Sequence, residues 1–243
     1  IADFAFPLNS NPFEILAVAD YGDVSFVSGY PDQAVEVIET HAQKLLEEDV
    51  TMLTFGGDHF VTYPLLRAHA KKYGPLSLIH FDAHVDTWPD DGKRLDHGSM
   101  FLRALREGLI DPKRSVQIGI RSFSEDDYGF TVMSSPWVAE NGVRATVLEI
   151  QKVIGRNKAY LTFDIDCLDP AYAPGTGTPV AGGMTSLQAL TILRGLGNID
   201  IIGMDVVEVA PAYDHSEITA IAAATLAHDF ICLKAWQKQQ RKD

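Results

Sequence analysis

The sequence calls for an α/β architecture in three layers: a mainly parallel central sheet with helices on both faces, in one domain spanning residues 1–243. Its 243 residues, 46% hydrophobic and 22% charged, suit one large globular unit with a sizeable core. Six short apolar runs lack in-and-out alternation and read as strands covered on both faces. Helical patterns separate these runs, and strand–helix alternation builds parallel sheets.

In chain order the apolar runs are EILAVAD, VTMLTFG, LSLIHFD, SVQIGIR, AYLTFDI and IDIIGMDVVEV. Between the first two, Pro31 to Glu48 sets Val35, Ile38, Ala42, Leu45 and Leu46 at helical spacing. Pro64 to Lys72 opens with proline in the first turn and closes at Gly74. Val132 to Asn141 reads as irregular. Ser186 to Leu196 follows Thr185, a good helix cap. Glu217 to Trp236 is apolar almost throughout and reads as a half-buried helix. No repeat, low-complexity tract or linker interrupts the pattern.

Lys plus Arg number 20 against 33 Asp plus Glu, a formal charge of −13. Binding nucleic acid needs clustered cations, so this acidity points away from it and toward a cationic small molecule. Cys167 and Cys232 are the only cysteines, which indicates neither a disulfide framework nor a thiolate zinc site. No apolar run approaches the roughly 18–20 residues of a membrane span. The opening IADFAFPLNS lacks the basic start and apolar core of a signal peptide. A reducing cytoplasm is therefore the expected compartment, without a membrane partner. Dinucleotide, P-loop and serine-hydrolase motifs have no counterpart.

Ligands of open parallel sheets bind at the carboxyl ends of the strands, and four runs end there in acids or histidines. Asp82, His84 and Asp86 form DAHVD, a set that suits Mn²⁺, Fe²⁺ or Zn²⁺; the excess of oxygen donors leans toward Mn²⁺. The plainer reading is a capping loop with solvated acids. Asp164 and Asp166 form DID, a weak motif that alone reads as a turn and cap. His59 follows two glycines in GGDH, where Asp58 could orient its ring or that of a neighbour and where a lone histidine is commonly a cap. Taken together they offer two imidazoles and four carboxylates at three strand ends, enough to hold two divalent ions about 3.5 Å apart. His97 reads either as a proton shuttle or as a helix-start residue. His80, inside a strand, reads as core; His41, His69 and His228 read as surface or packing, and His215 is left open. Glu208 ends the last run.

GGDH, FDAHVD and DIDCLDPAYAPGTGTP together resemble the ureohydrolases, the arginases, agmatinases and related guanidino hydrolases, over about Thr51 to Ala235. The likeness is greatest to the agmatine-cleaving branch. The resemblance implies an arginase-like fold and two Mn²⁺ per subunit. His59, Asp82, Asp86 and Asp164 would hold one ion, and His84, Asp82, Asp164 and Asp166 the other. It assigns Glu208 to gripping the guanidinium and His97 to relaying protons, and Asp86 could pass a proton to the leaving amine. The implied reaction is hydrolysis of agmatine to urea and putrescine by a metal-bridging hydroxide, in polyamine biosynthesis, by a trimer or hexamer. Arginases carry Asn two residues after DAHxD for the substrate carboxylate; here Trp88 stands there, which suits a substrate without one. The family's upstream strand and Gly-rich loop have no counterpart in these residues, so part of the substrate pocket is expected to be absent. The alternatives are a hydrolase of an acid such as guanidinobutyrate, for which Arg121 is the candidate partner, and a non-catalytic binder of the same fold.

Overall fold

The computed structural model describes residues 8, 11–27 and 29–240. Six strands form one sheet, every pair parallel, in the spatial order β1-β6-β5-β2-β3-β4. They are β1 (Met52–Phe55), β2 (Ser77–Phe81), β3 (Val116–Ile120), β4 (Thr131–Ser134), β5 (Lys158–Asp164) and β6 (Asp200–Val207). β2 and β3 are buried at every position, as unalternating apolar runs require.

Helices cover both faces. Leu78 and Tyr160 point to one face, where they meet α2 (Pro31–Leu46), α3 (Thr62–Tyr73) and α4 (Met100–Arg106) through Leu46, Leu66 and Phe101. Ile79, Phe81, Leu161 and Phe163 point to the other. There they pack on α5 (Ser135–Ile154), α6 (Ser186–Arg194) and α7 (Ile218–Gln240) through Ile150, Ile192 and Phe230. Each such side chain contributes about 1.5–3 kcal/mol of burial free energy. Local chemistry sets the ends. Gly74, at φ 80°, closes α3. Thr185 and Gln188 bond each other's backbone to form a capping box at the start of α6. The expectation that no apolar run approaches a membrane span is corrected: α7 is long and apolar enough by composition alone, and half of its most apolar stretch is buried in the protein.

Two readings of local structure are corrected. EILAVAD forms no strand: Asn11 caps a short helix, α1 (Pro12–Ile15), and the chain after it pairs with no strand edge, so its apolar character finds no ladder. Val132 to Asn141 is regular. It contributes β4 and the start of α5, where Ser134 caps the helix and Pro136 sits in its first turn. Gly142, at φ 79°, breaks α5, which weakened the helical pattern there. α4 has no counterpart among the helices read from the sequence.

Candidate metal centre

From β2 the chain proceeds to one side of the sheet through β3 and β4; from β5 it proceeds to the other through β6. β2 and β5 are neighbours, so the crevice between their carboxyl ends is the switch point where such sheets bind ligands. Asp82, His84 and Asp86 follow β2, Asp164 ends β5, and Asp166 sits in the 3-10 turn Ile165–Cys167. His59 opens the 3-10 turn His59–Val61 beyond β1, and Glu208 follows β6. Asp86 and Glu208 hold positive φ, 49° and 63°, rare for residues with a Cβ and a mark of backbone fixed by its surroundings.

The six residues read as ligands from the sequence converge. Nδ1 of His59 lies 3.0 Å from Asp82 Oδ2, 3.0 Å from Asp86 Oδ2 and 3.2 Å from Asp164 Oδ2. Nδ1 of His84 lies 3.2 Å from Asp82 Oδ1 and 3.1 Å from Asp166 Oδ2. Asp82 therefore turns one oxygen to each half of the cluster. The loops are tied by their own carboxylates: Asp82 Oδ1 accepts from His84 N at 2.6 Å, Asp164 Oδ1 from Asp166 N at 2.8 Å, and Asp166 Oδ1 from Ala83 N at 3.1 Å.

Beneath this cluster lies a row of polar side chains in sheet register: Thr54, Asp205, Thr162, His80 and Gln117, one from each of β1, β6, β5, β2 and β3. Thr162 Oγ1 donates to Asp205 Oδ1 at 2.5 Å and so accepts from His59 Nε2 at 2.8 Å. Thr62 and Tyr160 donate to the other oxygen of Asp205. The expectation that Asp58 orients His59 is thus corrected, since the ring is held by Thr162. His80 is a core residue, as read: it is fully buried in β2, and its Nε2 also lies 2.7 Å from Asp82 Oδ2. Gln117, Thr162 and Asp205 carry no assignment from the sequence, and His80 none beyond core. The signal was the two-residue spacing of His80 to Asp82 and of Thr162 to Asp164, which puts each pair on one strand face.

His59 Nδ1 is buried and faces three carboxylates, while its Nε2 faces Thr162 Oγ1. Buried carboxylates this close together need compensating positive charge, supplied by a protonated imidazole or by a bound cation. Burial alone would lower the histidines, yet hydrogen bonds to Asp164, Asp82 and Asp86 push His59 well above its usual value, and Asp166 and Asp82 push His84 up to about 10. The carboxylates diverge: burial and the charges of Asp82 and Asp166 hold Asp164 well above the ordinary range. Asp82 falls well below it, because His80, His59 and His84 outweigh its burial. Four carboxylates and two imidazoles in two groups that share Asp82 are a donor set for two cations.

Glu208 Oε1 accepts from His59 N at 2.8 Å and lies 3.3 Å from His97 Nδ1. Although burial opposes it, these donors hold Glu208 below its usual range, and the Glu208 hydrogen bond raises His97 to about 9. Trp88 donates from Nε1 to Phe123 O at 3.0 Å and packs on Gly98, where a Cβ would stand 3.0 Å from the ring. Arg121 is directed at backbone carbonyls, those of Gly119, Asp166, Cys167, Leu168 and Val180.

Residues 3–232 match the Arginase family. An agmatinase of Chromobacterium violaceum is 60% identical over 230 residues, covering 94% of this chain and 71% of that protein. The crystal structure of a hypothetical agmatinase from Burkholderia thailandensis is 58% identical, covers 98% of this chain and 75% of its own, and superposes with a TM-score of 0.96. The arginase of Bacillus subtilis is 27% identical with a TM-score of 0.79, over 88% of this chain and 83% of its own. The parallel sheet and the helices around it are thus shared with these structures, and the chain belongs to the arginase family.

Proposed function

We propose that this chain hydrolyses agmatine to urea and putrescine, with two Mn²⁺ held by His59, Asp82, Asp86 and Asp164 on one side and by His84, Asp82, Asp164 and Asp166 on the other. The observation that carries the reading is the convergence of His59 Nδ1 with Asp82, Asp86 and Asp164 in a buried crevice. The relatives named agmatinase support the substrate. The excess of carboxylate oxygen over imidazole nitrogen favours Mn²⁺. When bound, the cation pair supplies an acidified water as nucleophile near neutral pH.

The chain's own residues do the rest. A net charge of −13 draws a cationic guanidine toward the crevice. Glu208, ionised, accepts the planar guanidinium through charge-assisted hydrogen bonds and sets its carbon against the reacting face. His97 occupies Glu208 Oε1 in this structure; a guanidinium there competes with it, lowers its basicity and frees it to exchange protons with solvent. Asp86 takes the proton still carried by the attacking oxygen and passes it to the leaving amine. Trp88, pinned to Phe123 and Gly98, walls the pocket with an apolar ring unsuited to a substrate carboxylate. The commitment of Arg121 to backbone carbonyls removes the cation suggested for an acidic substrate.

The reading includes one catalytic domain assembled into trimers or hexamers, acting in the cytoplasm in putrescine synthesis. Cys167 and Cys232 form no disulfide among the described residues, which supports that compartment. Urea release from agmatine, arginine and guanidinobutyrate, with metal analysis of the purified protein, tests it. Turnover of agmatine well above the other two is expected, and equal or greater turnover of either would overturn the substrate assignment.

A further inference from the structure

His80 lies close enough to the centre to be taken for a ligand: its ligand atom sits within 4.8 Å of those of His59, Asp82 and Asp86. Its hydrogen bonds exclude that role. Gln117 Nε2 stands 2.7 Å from Val85 O and 3.1 Å from His80 Nδ1. A carbonyl only accepts, so the group facing Val85 is the amide NH₂; the flipped amide would oppose two oxygens. The second hydrogen of that NH₂ points at His80 Nδ1, which therefore carries a lone pair. The ring's single proton is left on Nε2, 2.7 Å from Asp82 Oδ2. The rings of Phe101 at 4.5 Å and His59 at 5.2 Å confine the imidazole, and Gln117, His80 and Asp82 are all buried.

We propose that His80 and Gln117 are a positioning pair for Asp82: Gln117 fixes the tautomer of His80, and His80 Nε2–H holds the carboxylate that faces both halves of the centre. Asp82 then receives one N–H on each oxygen, His80 on Oδ2 and the His84 backbone on Oδ1. The carboxylate plane is fixed before any cation arrives, and each oxygen keeps a lone pair for the side it faces. His80 acts through Asp82 and donates no lone pair itself. The proposal rests on the two-cation reading and deepens it.

The test is Mn²⁺ binding to the full chain by calorimetry, with folding followed by circular dichroism. Wild type is compared with His80→Phe, His80→Gln and Gln117→Leu. Loss of an outer hydrogen-bond partner costs on the order of 10–100-fold in metal affinity; that loss is expected in His80→Phe and Gln117→Leu. His80→Gln keeps an N–H donor at the Nε2 position and is expected to recover most of it, a rescue that a purely space-filling residue would not show. Nitrogen-15 spectra of the side chain are expected to show the proton on Nε2. Wild-type affinity in both His80→Phe and Gln117→Leu would overturn the pairing. Equal losses in His80→Gln and His80→Phe would make His80 a ligand and overturn it too. Failure of wild type to bind two cations would overturn the two-cation reading itself. Should His80→Phe not fold, Gln117→Leu and the tautomer measurement decide.

Discussion

Nδ1 of His97 lies 3.3 Å from Oε1 of Glu208, a residue 111 positions further along the chain. The carboxylate raises His97 from its usual 6.5 to about 9. The imidazole is thus a cation at neutral pH. A histidine raised on folding stabilises the protein fully below its unfolded value of 6.5, and that contribution is lost as pH climbs through about 9. With the His97 side chain 53% exposed, solvent screens the pair and its effect on stability is small. The expected outcome is a His97 NMR titration midpoint near 9 in metal-free protein, dropping toward 6.5 in Glu208→Gln. An unmoved midpoint in that variant would show that Glu208 is not the cause.

Glu208→Gln also separates binding from turnover. The proposed ligands are unchanged and a Gln Oε1 still accepts from His59 N, so metal content stays at the wild-type level. The charge that grips the guanidinium is gone, and removal of a group that positions charge costs on the order of 10²–10³ in rate. Metal analysis beside a urea assay reads both, and full activity would defeat the proposed grip.

Asp164→Ala removes one of the three oxygens around His59 Nδ1 and the acceptor for Asp166 N. Metal content and urea release are expected to fall together. Activity surviving without metal, or metal retained in full without activity, would contradict a ligand role for Asp164.

Gly56→Ala should act through the backbone. An added Cβ would stand 2.5 Å from Val61 Cγ2 and 2.9 Å from Val207 Cγ1. Overpacking of this kind costs about 1–3 kcal/mol, and here it pushes on the turn that carries His59. A lower melting temperature with weakened metal binding is expected; unchanged values of both would mean the turn has room to spare.

Much of this was written locally. The unalternating runs from Leu78, Ile118, Leu161 and Ile202 became strands because burial on both faces leaves no polar side to show, whereas β1, from Met52, lies at the sheet edge and is only partly buried. Asp82, His84, Asp86, Asp164 and Asp166 stood out only together with His59, as carboxylates and imidazoles gathered at three strand ends. EILAVAD failed the same rule because apolar content does not create a partner edge. β4 escaped because four edge residues carry too little pattern, and α5 because Gly142 interrupts its period.

The chain's order of residues by itself determined the parallel α/β class, the strand ends that bear carboxylates and imidazoles, and the family likeness of its motifs. Only the tertiary structure decided which side chains support them. Gln117, His80, Thr162 and Asp205 meet through strand order and register, and register joins residues that no spacing along the chain relates. A hydrogen bond's direction depends on what each atom faces, so Val85 O settles the Gln117 amide and, through it, where His80 keeps its proton.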